Sequence, residues 1–212
     1  MKKRIVCFGD SNTWGHVAIT AGRYDENTRW TGRLQNLLGD GWGVVEEGQR
    51  GRTTVWDDPV EQRMAGHKYL WPCLDSHAPV DLLIIMLGTN DTKPYFGVPA
   101  RSIADGAGRL VDIARKCNFG REDKAPKVLL ISPIRLMPQT DYPHLFGQEA
   151  AAKSQLFSQE FARVADSFGC YFLDAAEFAG PDPADGVHLD AAGHGALASA
   201  IYQKVLHIFA ED

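Results

Sequence analysis

The chain lacks a long apolar segment and a large excess of basic residues. Within its 212 residues, no run reaches the roughly 18 apolar residues that a membrane-spanning helix needs. The formal net charge is −5, and no basic run is longer than Lys2-Lys3-Arg4. Such a mildly acidic chain has no electrostatic reason to bind nucleic acid or an anionic membrane, so we expect neither partner.

Cysteine is scarce, and its spacing suggests no pairing. The four cysteines, Cys7, Cys73, Cys117 and Cys170, lie far apart and form no Cys-x-x-Cys motif. The apolar stretch at residues 5–8 is too short for the apolar region of a signal peptide. We therefore expect reduced thiols and a cytoplasmic protein.

Motifs for phosphate and metal binding are also missing. The sequence has no Walker A motif and no His-Glu-x-x-His motif. His188 and His194 are too far apart in sequence to share a helical face as neighbouring ligands. The sequence therefore predicts no metal and no cofactor.

The composition is ordinary for a globular protein, with 44% apolar and 23% charged residues. The length suits one domain over residues 1–212. Short apolar runs, each typical of a buried strand, occupy residues 5–8, 44–45, 82–87, 128–131 and 171–173. Helical spacing of apolar residues recurs over 103–114, 157–168 and 197–208. This alternation predicts an α/β three-layer sandwich around a five-stranded parallel sheet. Two long loops, 15–28 and 132–148, are candidates for functional segments.

Ser11 directly follows the first predicted strand. In parallel sheets of this kind, reactive groups gather beyond the carboxyl ends of the strands. A serine there can act as a nucleophile if a base takes its proton. The alternative for an isolated serine after a strand is a helix cap.

Asp185 and His188 form a candidate base for such a serine. A carboxylate three residues before a histidine can reach the Nδ1 side of the ring, so that Nε2 faces the serine. Alone, the pair also fits a surface turn with a solvated histidine.

Two further motifs follow predicted strands. Asn90 comes after the run at 82–87, where its amide can donate to an oxyanion, although an Asx-turn is the alternative. The segment 48–54 follows the second strand, and its glycines permit close approach of backbone N–H groups to a ligand. The alternative for that segment is an ordinary turn.

These four motifs occur in the chain order Ser, Gly, Asn, His, all at one edge of the predicted sheet. This combination resembles the SGNH (GDSL) hydrolases over essentially the whole chain. The sequence is most similar to the arylesterase/acyltransferase branch of that family, through residues 7–11, 29–32, 46–48, 52–54 and 84–93. The resemblance implies a flavodoxin-like five-stranded sheet in a single SGNH domain over 1–212.

The resemblance implies a serine esterase with Ser11 as nucleophile, His188 as general base and Asp185 as the residue that orients His188. The oxyanion hole would consist of the Ser11 N–H, the Gly51 N–H and the Asn90 amide. Gly51 is chosen within the segment 48–54 because it directly precedes the Arg-Thr-Thr run, as in the second block of the family.

Residues that flank these motifs are candidate substrate contacts: Asp10, Asn12, Trp14, Lys93 and Val187. For three of them an alternative stands: Asp10 can brace the turn, Trp14 can belong to the core, and Lys93 can be a solvated surface charge. Asn12 occupies a position where this branch often has leucine, which leaves the shape of the acyl pocket open.

The implied activity is hydrolysis of short-chain acyl esters with aryl or alkyl leaving groups. Acyl transfer to alcohols or hydrogen peroxide and a homo-oligomeric state follow from the same resemblance. The alternative enzyme is a carbohydrate acetylesterase. Two alternatives of other classes are a non-catalytic binding module on the same fold and a flavodoxin-like nucleotide binder, which would need a phosphate loop after the first strand.

Overall fold

Five parallel strands form the central sheet of this computed structural model, which describes residues 2–210. The strand order is β2-β1-β3-β4-β5, the doubly wound order of flavodoxin-like sheets. All pairings are parallel, so the predicted fold class is confirmed. The strands are β1 (Lys3–Gly9), β2 (Trp42–Gly48), β3 (Leu82–Met86), β4 (Lys127–Ser132) and β5 (Tyr171–Asp174).

Helices cover both faces of the sheet. One face packs against α3 (Gly66–Ser76), α4 (Ala100–Lys116) and α6 (Phe157–Phe168), and the other packs against α2 (Trp30–Leu38) and α7 (Ala191–Ala210). Alternate strand residues serve the two faces: Val6 and Phe8 join the first core, whereas Ile5 and Cys7 join the second. The two remaining α-helices are short, α1 (Ser11–Trp14) and α5 (Gln148–Ser154).

The predicted strands are present, but most are longer than the apolar runs. The strand predicted at 44–45 extends over Trp42–Gly48, because its polar residues Glu46 and Glu47 lie on an edge strand. The helical spacing at 103–114, 157–168 and 197–208 corresponds to α4, α6 and α7. Helices α2 and α3 were not predicted, and Pro72 inside α3 interrupts the usual helical signal.

The carboxyl ends of the strands open onto long connections, which include both predicted loops. One loop separates α1 from α2, and the other separates β4 from α5. None of the helices within residues 2–210 is both long and apolar enough to cross a membrane. The four cysteines are unpaired, and Cys7, Cys73 and Cys117 are buried.

Candidate active site

Ser11 is the first residue of α1, immediately beyond the carboxyl end of β1. The preceding Asp10 is the N-cap, and its Oδ1 accepts the backbone N–H of Asn12 at 2.9 Å. Because Asp10 supplies the cap, the hydroxyl of Ser11 is free for another partner. The alternative role of Ser11 as a helix cap is therefore wrong.

His188 and Asp185 complete a chain of hydrogen bonds that begins at Ser11. The Nε2 atom of His188 lies 2.9 Å from Ser11 Oγ, and its Nδ1 lies 2.6 Å from Asp185 Oδ2. An ionised carboxylate can only accept, so Nδ1 carries the proton and Nε2 accepts from the hydroxyl. The surface-turn alternative does not hold, because all three side chains are buried.

The turn around Asp185 fixes this carboxylate in its ionised form. Its Oδ1 accepts the backbone N–H groups of Val187 at 2.8 Å and His188 at 2.9 Å. Burial raises the pKa of Asp185, but the hydrogen bonds from His188 and Val187 outweigh burial and leave the pKa below its ordinary value. The carboxylate thus stays charged beside the imidazole.

Asn12 ties helix α1 to the segment that carries His188. Its Oδ1 accepts the N–H of Leu189 at 2.8 Å, and its Nδ2 donates to the carbonyl of Val187 at 3.4 Å. These two bonds flank His188 on both sides in the chain. Asn12 therefore holds the histidine segment in register with the helix that presents Ser11.

Asn90 and Gly51 lie beside Ser11 on the cavity wall. Asn90 Nδ2 donates to the carbonyl of Arg52 at 3.1 Å, which uses one of the two amide hydrogens and leaves the second for a ligand. Gly51 has φ of +77°, which favours glycine. Position 48 favours glycine for a different reason, because a Cβ there would lie 2.3 Å from the backbone nitrogen of Trp14.

Asp91 links the segment that carries Asn90 to the segment that carries Gly51. Its Oδ1 accepts both the N–H of Thr54 at 2.9 Å and the hydroxyl of Thr54 at 2.5 Å. Burial raises the pKa of Asp91 to about 7, and burial likewise raises the pKa of Asp10 to about 6. Both carboxyls stand behind the cavity wall rather than on it.

A cavity of about 210 Å³ opens over these groups. Of the predicted residues, it is lined by Ser11, Gly51, Asn90, Lys93 and His188. The structure thus brings together the predicted nucleophile, base and oxyanion donors at one cavity. Asp185 lies behind His188.

Of the five predicted substrate contacts, Lys93 lines the cavity and four do not. Asp10, Asn12, Trp14 and Val187 are not among the residues that line the cavity in the described part of the chain. Asp10 is a helix cap, and Asn12 braces the histidine segment. Val187 packs into a small apolar cluster, and the ring of Trp14 lies 4.5 Å from the Arg50 guanidinium carbon. Their motifs flank the site in sequence, but these four side chains support residues of the site or pack beside them.

Lys93 does line the cavity, but it is not a free charge. Its side chain is 1% exposed, and its amine lies 3.0 Å from Asp58 Oδ2 and 2.5 Å from Glu61 Oε2. The hydroxyl of Tyr95 also donates to Asp58 at 2.6 Å. The surface-charge alternative for Lys93 is wrong, because two carboxylates from the 57–64 loop neutralise the buried amine.

Sequence reasoning missed seven residues of the cavity wall: His16, Arg50, Glu61, Arg63, Tyr142, Leu145 and Phe146. Four of them lie in the loops 15–28 and 132–148, so the length of those loops was the available signal. The other three lie between β2 and α3: Arg50 falls within the predicted motif 48–54, whereas no local pattern marks Glu61 or Arg63.

His16 lies against the predicted base. The two imidazole rings of His16 and His188 have centroids 4.1 Å apart. Burial, with a smaller contribution from the neighbouring His188, lowers the pKa of His16 to about 4. His16 is therefore neutral near pH 7 and adds a ring, not a charge, to the cavity.

Two groups within the described residues have the donor atoms for a metal ion. One is His16, Asp185 and His188, and the other is Glu47, Cys73 and His77. In each group two members already bond to one another, as in the 2.7 Å contact between His77 Nε2 and Glu47 Oε1. The absence of a metal stays a prediction.

Several solved structures similar to this chain are esterases by name. A carbohydrate acetylesterase from Sinorhizobium meliloti is 40% identical, with a TM-score of 0.93 over 98% of this chain and 100% of that chain. The aryl esterase of M. smegmatis is 38% identical, with a TM-score of 0.91 over 97% of this chain and 99% of that chain. These similarities identify the class of the protein as an ester hydrolase.

The family model of the GDSL-like lipase/acylhydrolase family matches residues 7–196. The chain therefore belongs to that family, and the predicted resemblance and the enzyme class, a carboxylic ester hydrolase, are confirmed. An acetylxylan esterase from Xylanibacter ruminicola is 30% identical over 145 residues, which are 62% of this chain. The match spans only 28% of the length of that curated relative.

Proposed function

We propose that the protein is a serine esterase in which Ser11, His188 and Asp185 act as the catalytic triad. The observation that carries this proposal is the chain of contacts inside the cavity, 2.9 Å from Ser11 Oγ to His188 Nε2 and 2.6 Å from Nδ1 to Asp185. Such a geometry lets the hydroxyl lose its proton as it attacks.

In the first half of the proposed reaction, His188 Nε2 takes the proton of Ser11 as Oγ forms a bond to the ester carbonyl carbon. The carbonyl oxygen becomes an oxyanion, which accepts hydrogen bonds from the Ser11 N–H, the Gly51 N–H and the free hydrogen of the Asn90 amide. The carbon–oxygen bond to the leaving group then breaks, and protonated His188 donates its proton to that oxygen. The product is an acyl-enzyme on Ser11.

In the second half, water repeats the same steps. His188 takes a proton from water, the hydroxide oxygen bonds to the acyl carbon, and the bond to Ser11 Oγ breaks as Oγ regains the proton. Asp185 remains ionised throughout and stabilises the imidazolium. An alcohol or hydrogen peroxide in place of water would give acyl transfer, which we propose as an additional activity.

We propose short-chain acyl esters with aryl or alkyl leaving groups as substrates. A cavity of about 210 Å³ suits compact esters, and the aromatic side chains of Tyr142 and Phe146 on its wall suit an aryl group. The similar aryl esterase supports this substrate class. The second candidate, deacetylation of carbohydrates, is supported by the similarity to the carbohydrate acetylesterase and the acetylxylan esterase.

The proposed triad is tested by the hydrolysis of 4-nitrophenyl acetate. Ser11→Ala should lower kcat by about 10⁴-fold or more, because the nucleophile is lost while the fold remains. Ser199→Ala, an exposed serine on α7, is the matched control and should retain full activity. Equal turnover by Ser11→Ala and the control would overturn the proposal. Acetate release from acetylated xylan, compared with phenyl acetate, separates the two substrate candidates.

We also propose a homo-oligomer located in the cytoplasm. Ile19, Val60 and Met64 are large apolar side chains with exposed fractions of 73%, 62% and 54%. All three lie on loops that contribute residues to the cavity wall, where a second copy would cover them. Light scattering tests this proposal, and a monomeric mass would overturn it. The unpaired cysteines support a reducing compartment.

A further inference from the structure

Two exposed arginines stand at the cavity wall, Arg50 and Arg63. Neither has a carboxylate within ion-pairing distance in the part of the chain that the structure describes. The other cation on the wall, Lys93, pairs with the carboxylates of both Asp58 and Glu61, so these three groups together carry one negative charge. The two guanidinium charges exceed this single negative charge, so the arginines supply the net positive charge that a ligand meets at the cavity.

Arg63 is held over the proposed oxyanion hole. Its backbone pairs with Asp58 in both directions, with N–H to O distances of 2.9 and 3.1 Å, which fixes the 58–63 turn. Its side chain lies on Gly51, since a Cβ at that glycine would be 2.9 Å from Arg63 Cγ. The aliphatic part of the Arg63 side chain therefore covers Gly51, the residue proposed to bind the oxyanion.

Arg50 is the residue before Gly51, and its position is also fixed. Its guanidinium carbon lies 4.5 Å from the centre of the Trp14 ring, within the range of a cation–π contact. A stacked guanidinium keeps its in-plane N–H donors free for a ligand. Both arginines thus line the cavity next to the same glycine, Arg50 as its neighbour in the chain and Arg63 through its side-chain stem.

We propose that this cavity prefers esters that carry an anionic group, such as a carboxylate, close to the scissile bond. Guanidinium groups bind carboxylates through paired, charge-assisted hydrogen bonds, and neither guanidinium here is ion-paired within residues 2–210. This inference rests on the proposed esterase function and specifies the charge of the preferred substrate.

The test compares charged and neutral esters of matched shape. One pair is 4-acetoxybenzoate and 4-acetoxybenzamide, which differ in the charge of the leaving group. The second pair is the 4-nitrophenyl monoester of succinic acid and 4-nitrophenyl butyrate, which differ in the charge of the acyl group. The measured quantity is the ratio of kcat/KM for the anionic ester to that for the neutral ester.

The variants are Arg50→Gln, Arg63→Gln and the double variant. Arg115→Gln is the matched control, because Arg115 is an exposed arginine that bonds to the Phe168 carbonyl and takes no part in the cavity. We expect the ratio to fall by about tenfold in the double variant in at least one ester pair, mainly through KM. The ratio should also fall with added salt in the wild type, and it should not change in Arg115→Gln.

An unchanged ratio in the double variant for both ester pairs would overturn the proposal. A similar fall in Arg115→Gln would also overturn it, because net charge rather than the cavity would then be the cause. If the wild type hydrolysed none of the four esters, the esterase proposal itself would fail. Hydrolysis of the neutral esters with no charge preference would reject only the inference about the arginines.

Discussion

The inner end of the cavity and its mouth are built from different parts of the chain. At the inner end, Ser11, His188 and Asn90 are buried, and hydrogen bonds fix each of them. At the mouth, Arg50 and Arg63 are exposed on connecting segments and lack a carboxylate partner within residues 2–210. In the account proposed here, the inner end carries out the reaction, whereas the mouth selects the esters that react.

The largest effect that separates the two ends is expected at Asp185. Asp185→Asn keeps the shape of the side chain but favours the wrong tautomer of His188, so kcat should fall by about 10⁴-fold. KM should change little, because Asp185 does not line the cavity. Steady-state kinetics with 4-nitrophenyl acetate measure both. A loss of less than tenfold in kcat would remove the distinction between the inner end and the mouth.

The next effect is expected at Asn90. Asn90→Ala removes one proposed oxyanion donor, so kcat should fall by about 10²- to 10³-fold. The same change also releases the carbonyl of Arg52, so the melting temperature must be measured beside the kinetics. A loss of activity that is matched by unfolding at the assay temperature would assign Asn90 to structure alone.

The smallest effect concerns Asp91, which supports the inner end without lining the cavity. Burial raises its pKa to about 7 in the folded protein, so the folded state holds a proton that the unfolded state loses above about pH 4. The carboxyl of Asp91 therefore lowers the free energy of unfolding progressively as pH rises from about 4 to 7. The side chain at this position in the variant Asp91→Asn cannot ionise. The free energy of unfolding of the variant should therefore rise relative to that of the wild type as pH increases from about 4 to 7.

Urea unfolding of both proteins at pH 5 and pH 8 measures this difference, because groups that do not interact with Asp91 titrate equally in both. Parallel pH profiles for the wild type and Asp91→Asn would contradict the raised pKa. The hydrogen bonds from Thr54 are compatible with an amide oxygen, so the variant should fold.

The sheet and the inner end were predictable because they depend on local patterns. Buried parallel strands are continuous apolar runs, and the motif residues directly follow strands, so the topology brings them to one edge. Asp185 and His188 are three residues apart, so a single turn decides their contact. The prediction of a single domain over residues 1–212 rests on length and resemblance, and it stays a prediction.

The mouth was not predictable because its contacts join distant parts of the chain. Lys93 looks like a surface charge in sequence, since its partners Asp58 and Glu61 lie more than 30 residues away. His16 contacts His188 across most of the chain, and no periodicity encodes such a pair. Asn12 and Trp14 are predicted substrate contacts because they flank Ser11, but neither is among the residues that line the cavity.

Covalent labelling of Ser11 tests the proposed triad most directly. An organophosphonate ester reacts with a serine that an adjacent base activates, and peptide mass spectrometry locates the adduct. We predict one adduct on Ser11 in the wild type, none on Ser11→Ala, and a strongly slowed reaction in His188→Ala. Equal labelling of the wild type and Ser11→Ala, or an adduct at another serine in the wild type, would contradict the role of Ser11 as the nucleophile.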